Sequence, residues 1–174
     1  MTTTIRDVRD DDADAIAAIY AHHVLHGTAS YDTEPPSVAD TRAKIRRIRD
    51  ARWPFIVAEL DGQIAGYAYA TQLRDRAGYR YSAEDSIYVR PDIVGRGIGK
   101  ALLNELLARA AAQGFRTMIA VIGGAEPASV ALHASLGFEI VGRLKSVGFK
   151  FGRWLDTIYM QRDLADLAEL SRLA

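Results

Sequence analysis

The stretch that most narrows the choice of fold is Ile87-Tyr88-Val89-Arg90-Pro91-Asp92-Ile93-Val94-Gly95-Arg96-Gly97-Ile98-Gly99-Lys100. A strand signal passes through a glycine-rich turn into a segment where Ile98, Leu102, Leu103, Leu106, Leu107 and Ala110 recur at helical spacing. Gly114 stands where a helix-ending cap belongs, and Thr117 to Ile122 reads as a buried strand. Strand, helix and strand in succession place this part of the chain in a sheet covered by helices.

The flanking sequence extends the pattern. Ile5 to Val8 reads as a short strand, followed by an acidic turn at Asp10 to Asp12 and by Ala15, Ile16, Ile19, Tyr20 and Val24 at helical spacing. Gly27 to Pro36 holds Gly, Ser, Thr and two prolines and reads as a long loop, a kind of segment that often carries function. Ser37 with Asp40 resembles a capped start for a second helix ending near Arg52. Phe55 to Leu60, the Asp61-Gly62 turn and Gln63 to Ala70 spell a hairpin, because Asp-Gly adopts the positive φ angles of a two-residue turn. Ser86 to Val89 adds a strand. Pro127 to Leu136 predicts a short helix stopped by Gly137, Phe138 to Val147 and Trp154 to Met160 the last strands, and the tail from Leu164 a terminal helix. The expected order is β-α-α-β-β-β-α-β-α-β-β, an α/β fold with a mixed central sheet flanked by helices, in a single domain over residues 1–174.

Composition excludes several classes. The 174 residues are 49% hydrophobic and 25% charged, as in an ordinary globular protein. Twenty-two Lys and Arg balance 22 Asp and Glu, so no general field favours nucleic acid or an anionic membrane. Without cysteine there is no disulfide, thiolate metal site or cysteine nucleophile. That fits a reducing compartment. The charged start, MTTTIRDVRDDDADA, and the lack of any long apolar run add to an expectation of a cytoplasmic protein.

Amides at a helix N-terminus make a phosphate cradle, and glycines let a pyrophosphate approach the backbone. Glycines also permit tight packing of strand on helix, so alone they leave both readings open. A Walker loop would need glycine at Val94 and Ser or Thr at Ala101, and a dinucleotide fingerprint glycine or alanine at Lys100.

The stretch resembles the pyrophosphate loop of the GNAT acetyltransferases, Gln/Arg-x-x-Gly-x-Gly/Ala. Gly97 and Gly99 match, while Val94 replaces the usual Gln or Arg. Tyr79 to Val89, Ser129 to Phe138 and Gly148 to Asp156 are similar to the phosphinothricin and methionine sulfoximine acetyltransferase branch, so the resemblance covers nearly the whole chain. It implies a GNAT fold, acetyl-CoA as cosubstrate, no metal, and a homodimer. The implied reaction is direct transfer of acetyl, in a ternary complex, to the α-amine of a small amino acid or analogue.

The resemblance also implies residue roles. Glu84 is the general base, acting directly or through water, where the bare sequence shows only a carboxylate at a strand end. Backbone groups of Ile87, Tyr88 and Val89 hold the acetyl and pantetheine portions, and the amides of Gly95, Arg96, Gly97, Ile98, Gly99 and Lys100 hold the pyrophosphate. Glu126 and His133 occupy the positions of an asparagine and a tyrosine found in many GNAT enzymes. His133 orients the thiol or donates a proton, or is a packing residue. Glu126, an acid beside an anionic cofactor, departs from the pattern, and Ser135 completes the expected cofactor contacts. Arg74, Asp75 and Arg76, with Glu84, Asp85 and Ser86, are expected at the substrate, whose carboxylate calls for a guanidinium fork.

Two further patterns read blandly. His22 and His26 share a helix face without a third metal ligand, and the basic run Arg42 to Arg52, interrupted by Ile45 and Ile48, is the exposed side of the second helix. Two alternatives to the amino-acid reading remain. One is acetylation of polyamines or protein N-termini, and the other is a cofactor-binding module without catalysis.

Overall fold

The computed structural model describes residues 3–167. Its elements are β1 (Thr3–Asp7), α1 (Ala13–His26), α2 (Val38–Asp50), β2 (Phe55–Leu60), β3 (Gln63–Gln72), β4 (Ser82–Val89), α3 (Ile98–Ala112), β5 (Thr117–Gly123), α4 (Pro127–Ala134), β6 (Glu139–Lys150) and β7 (Arg153–Asp163). This is the expected order. The helix expected from Leu164 lies largely outside the described residues.

The strands form one seven-stranded sheet in the order β1-β2-β3-β4-β5-β7-β6. Only β4 and β5 run parallel, joined through α3, and every other neighbouring pair is antiparallel. Strand alternation gives the sheet two unlike faces. Toward α3 it presents small side chains, Ala58, Ala68, Ala70 and Ala83, and the fully buried Leu102, Leu103, Leu106 and Leu107 of the helix pack on them. Toward α1 and α2 it presents Phe55, Val57, Tyr67 and Tyr69, met by Ile16, Ile19, Ile45 and Ile48.

Local signals act as read. Ser37 Oγ accepts from the Asp40 amide, and Asp40 Oδ2 accepts from the Ser37 amide, a reciprocal cap at the start of α2. In the basic run, Arg42, Arg46 and Arg49 face Asp14 and Asp10 while Ile45 and Ile48 enter the core. Asp61 and Gly62 have φ of 51° and 79° and turn β2 into β3.

Several boundaries differ from expectation, two of them beside the cleft. β4 begins at Ser82 rather than Ser86, because the charged Glu84-Asp85 pair sits inside a strand that pairs with β3 throughout. β6 continues past Val147 to Lys150 and turns directly into β7 through Phe151 and Gly152, with φ of 52° and 72°. At Gly148 the Tyr31 ring lies against the strand: a Cβ there would meet the ring at 2.6 Å.

Candidate active site

The parallel ladder between β4 and β5 pairs only Ser82, Ala83 and Glu84 with Thr117, Met118 and Ile119, although β4 runs on to Val89 and β5 to Gly123. Beyond Glu84 the two strands diverge. Hydrogen bonds from the Leu73 amide to the Ser82 carbonyl and from the Arg90 amide to the Ala65 carbonyl fix the alternation between β3 and β4. Even-numbered residues of β4 therefore exchange their bonds with β3, and odd-numbered ones point their N–H and C=O toward β5. Ile87 and Val89 thus direct backbone groups into the gap. Tyr88, expected beside them, has its backbone committed to Tyr67.

At the carboxyl end of β4 the chain enters α3 through Gly95 and Gly97, with φ of 86° and 80°. Nothing lies within 4 Å of a Cβ built at either position, so what these glycines supply is the left-handed backbone rather than room. The first helical bond runs from the Ala101 amide to the Gly97 carbonyl, which leaves the amides of Ile98, Gly99 and Lys100 without an acceptor in the helix. Those amides, with an exposed lysine in the first turn, suit an anion. Val94 is 64% exposed, so its replacement of Gln or Arg alters no packing. The Ile98 side chain is buried and contributes only its amide.

A cleft of about 290 Å³ opens beside the gap, with Glu84, Asp85, Ser86, Ile87, Tyr88 and His133 in its lining. The faces of β4 divide them. Tyr88 packs with the α1 and α2 layer, placing Glu84 and Ser86 there too; Ala83 and Ile87 belong to the α3 layer, and Asp85 with them. Burial raises the Glu84 carboxyl above its ordinary value, opposed by the Arg74 guanidinium and assisted by Asp85. Arg74 Nη1 stands 3.8 Å from Glu84 Oε2.

On the other face, His133 Nε2 lies 3.0 Å from Asp85 Oδ2, with side chains 3% and 2% exposed. His133 Nδ1 donates to the Ser129 carbonyl at 2.7 Å, so a proton must also lie between Nε2 and Oδ2. Burial alone would lower the imidazole's pKa, but the Asp85 hydrogen bond and charge outweigh it and raise it. Both nitrogens being engaged, His133 reaches the cleft through Asp85, whose Oδ1 is buried and lacks a partner among the described residues.

Sequence reasoning missed the aromatic wall and the loop across the cleft. Tyr20, Tyr69, Ser30, Tyr31, Ser129 and Thr157 also line it. Tyr20 donates to Asp32 at 2.7 Å and meets Ser30 Oγ at 2.7 Å, and burial raises its pKa to about 12. The buried Lys150 donates from Nζ to the Ser30 carbonyl at 2.7 Å, and burial lowers its pKa against the opposing charge of Asp32. Tyr31 donates to the Asp156 carbonyl at 3.0 Å and accepts from the Gly124 amide at 3.2 Å. The alternation Tyr67-x-Tyr69 opposite Ser86 and Tyr88 was the available signal for the wall.

Other expected residues stand apart. Arg74, Asp75 and Arg76 are all exposed and do not line the cleft; Arg74 stands beside Glu84 at its edge and donates to the Leu73 carbonyl, and Gln72 Nε2 holds the loop by the Arg74 and Arg76 carbonyls. Glu126 is the N-cap of α4, with no side-chain capping bond, and Ser135 donates to the Leu132 carbonyl at 2.8 Å. No group of three or more metal-ligating side chains occurs among the described residues. No helix among them is long and apolar enough to cross a membrane.

Residues 5–159 match the family model described as an acetyltransferase (GNAT) domain. The chain is 52% identical over 162 residues to a phosphinothricin N-acetyltransferase of Alcaligenes faecalis, covering 92% of this chain and 82% of that protein. It is 41% identical over 165 residues to an L-methionine sulfoximine/L-methionine sulfone acetyltransferase of Pseudomonas aeruginosa, covering 94% and 96%. Among solved structures, a phosphinothricin acetyltransferase from Sinorhizobium meliloti in complex with acetyl-CoA superposes with a TM-score of 0.93 at 51% identity, over 95% of this chain and 90% of that one. A Salmonella typhimurium acetyltransferase with its cofactor acetyl-CoA gives a TM-score of 0.92 at 37% identity, over 94% and 95%. With its diverging parallel strands, its glycine loop and these relatives, the chain belongs to the GNAT family of acetyltransferases.

Proposed function

We propose that this acetyltransferase acetylates the α-amine of a small amino acid or analogue, of the phosphinothricin, methionine sulfoximine or methionine sulfone type, with Glu84 as general base. The observation that carries the reading is a half-buried carboxylate of raised pKa, on the tyrosine-lined face of β4, where the parallel ladder opens. The residues present fit acetyl-CoA: the gap offers backbone groups of Ile87 and Val89, and α3 begins with amides lacking helical acceptors. Ile87 and Val89 would hold the pantetheine arm, and the amides of Ile98 to Lys100 the pyrophosphate. When bound, acetyl-CoA supplies the activated acetyl thioester.

Glu84 removes the proton that the amine loses as its bond to the acetyl carbon forms. A carboxylate whose pKa is raised by burial is a stronger base than an exposed one. The Asp85–His133 pair holds the proton that the sulfur takes as its bond to carbon breaks, and exchange with water restores both groups. Arg74, beside Glu84, is the cation for the substrate carboxylate and turns the amine toward the base. Arg76 and Asp75 act only through the loop that carries Arg74. The test of the whole reading is Glu84→Gln in a thiol-release assay with acetyl-CoA and methionine sulfone. Wild-type turnover in that variant would overturn it.

The assembly proposed is a homodimer through the β6–β7 hairpin. β6 is an edge strand of 12 residues, and Ile140, Val141, Leu144, Val147, Phe149 and Trp154 of the hairpin are exposed. A long edge with an apolar surface needs cover. Sedimentation at micromolar concentration should show a dimer for the wild type and a monomer for Phe149→Glu.

A further inference from the structure

The carboxyl end of β4 carries a contact that the reading above does not use. His23, on α1, donates from Nε2 to the Val89 carbonyl at 2.9 Å, joining residues 66 apart in sequence. Val89 is the last residue of β4, and its carbonyl points into the gap, where β5 no longer pairs. Without a donor this half-buried carbonyl would compete for whatever N–H entered the gap.

The same helix reaches the other arm of the gap. Its continuation, Thr28 to Tyr31, packs on the end of β5: a Cβ on Gly123 would lie 2.7 Å from the Thr28 carbonyl, and the Gly124 amide donates to the Tyr31 hydroxyl at 3.2 Å. α1 and its loop therefore tie the end of β4 to the end of β5 across the opening. The His23 ring stands against Tyr88, 5.4 Å between centroids. Burial lowers the imidazole's pKa, the Val89 carbonyl opposing and His22 assisting, which favours the neutral ring with its proton on Nε2.

We propose that His23 is a positioning residue for the pantetheine arm of acetyl-CoA: by occupying the Val89 carbonyl it fixes the end of β4 and leaves the Ile87 groups and the Val89 N–H for the amides of the arm. This rests on the reading that the arm lies in the gap. It separates His23 from the chemistry of Glu84, since the effect falls on cofactor affinity and not on the amine.

The experiment pairs calorimetry of coenzyme A binding with kinetics on acetyl-CoA and on S-acetylpantetheine, which keeps the arm but lacks the pyrophosphate. His23→Leu should weaken coenzyme A binding and raise the KM for S-acetylpantetheine by about three- to tenfold each, the loss of one hydrogen bond, with kcat at saturation kept within about twofold. His23→Gln, which can present an N–H at similar reach, should recover most of the loss. Gly97→Val should weaken coenzyme A but leave the KM for S-acetylpantetheine alone. Unchanged coenzyme A affinity in His23→Leu beside a weakened Gly97→Val overturns the role of His23 while leaving the placement of the cofactor intact. Unchanged affinity in both overturns the placement itself. Loss confined to kcat or to the KM of the amine also overturns the role, and so does a Gln variant as impaired as Leu. Should His23→Leu fail to fold, Gln against the shorter Asn decides: equal coenzyme A affinities in those two overturn the proposal.

Discussion

Glu84 and Asp85 are neighbours on one strand, yet they stand on opposite faces of the sheet and in opposite company. Glu84 looks toward a wall of tyrosines and keeps a guanidinium at 3.8 Å, too far for a hydrogen bond. Asp85 lies under α4 with its side chain 2% exposed and is hydrogen-bonded to an imidazole at 3.0 Å. The first arrangement leaves a base free to accept a proton from a ligand. The second holds a proton already shared. One residue of strand alternation is enough to put the two carboxylates in separate layers of the molecule.

The difference can be broken experimentally. Glu84→Gln should lower kcat by about 10² to 10⁴, the usual contribution of a positioned base, without lowering the melting temperature, because its burial disfavours the charge. Asp85→Ala should do the reverse in emphasis, removing about 3 to 5 kcal/mol of stability in urea denaturation by leaving a buried imidazole without its partner. A fully stable Asp85→Ala protein would refute the buried pair.

Smaller effects sharpen the contrast. Arg74→Ala should raise the KM for methionine sulfone about tenfold, the low end for an exposed charge-assisted contact, while the KM for acetyl-CoA stays put. His133 has a folded pKa above its unfolded value of about 6.5. Its contribution to stability is therefore full below that pH and fades as pH rises through the folded value. The stability gap between wild type and His133→Leu should be widest in mild acid and narrow on the alkaline side. Glu84 must be ionised to act, so kcat/KM should fall as pH drops through its raised pKa. That limb should move further up in Arg74→Ala, since Arg74 is the group that opposes the rise.

Much of this was legible in the sequence because the signals were local. The Ser37 cap, the Asp61-Gly62 turn and the leucine face of α3 each act within a few residues, and the chain follows them. The strand at the site was the place where reading failed. Glu84-Asp85 interrupts the apolar run that marks a central strand, so β4 reads four residues short. In the structure both charges sit inside the strand, where the parallel ladder ends. The aromatic wall and the loop over it were illegible for a different reason. Tyr20, Tyr31, Tyr69 and Lys150 meet only through tertiary packing, with Tyr31 bonding to residues more than ninety positions away. His23 gives no sign at all in the sequence, because its acceptor is a backbone carbonyl, which has no residue type.

The three paired positions between β4 and β5 also have a meaning for how the molecule holds together. On one side of them β1 to β4 are joined in sequence order, and on the other the β6–β7 hairpin closes on its own two-residue turn before β7 lies along β5. The seam is narrow but not remote in sequence: its pairs join residues 35 apart, where those between β1 and β2 join residues 49 to 57 apart. The gap is thus a seam between two parts of one sheet, held by three paired positions. A ligand bridging it stabilises the joined state in proportion to the logarithm of its concentration over its dissociation constant. The cosubstrate is in that sense a clasp as well as a reactant, and thermal stability should climb with coenzyme A long before any acetyl group is transferred.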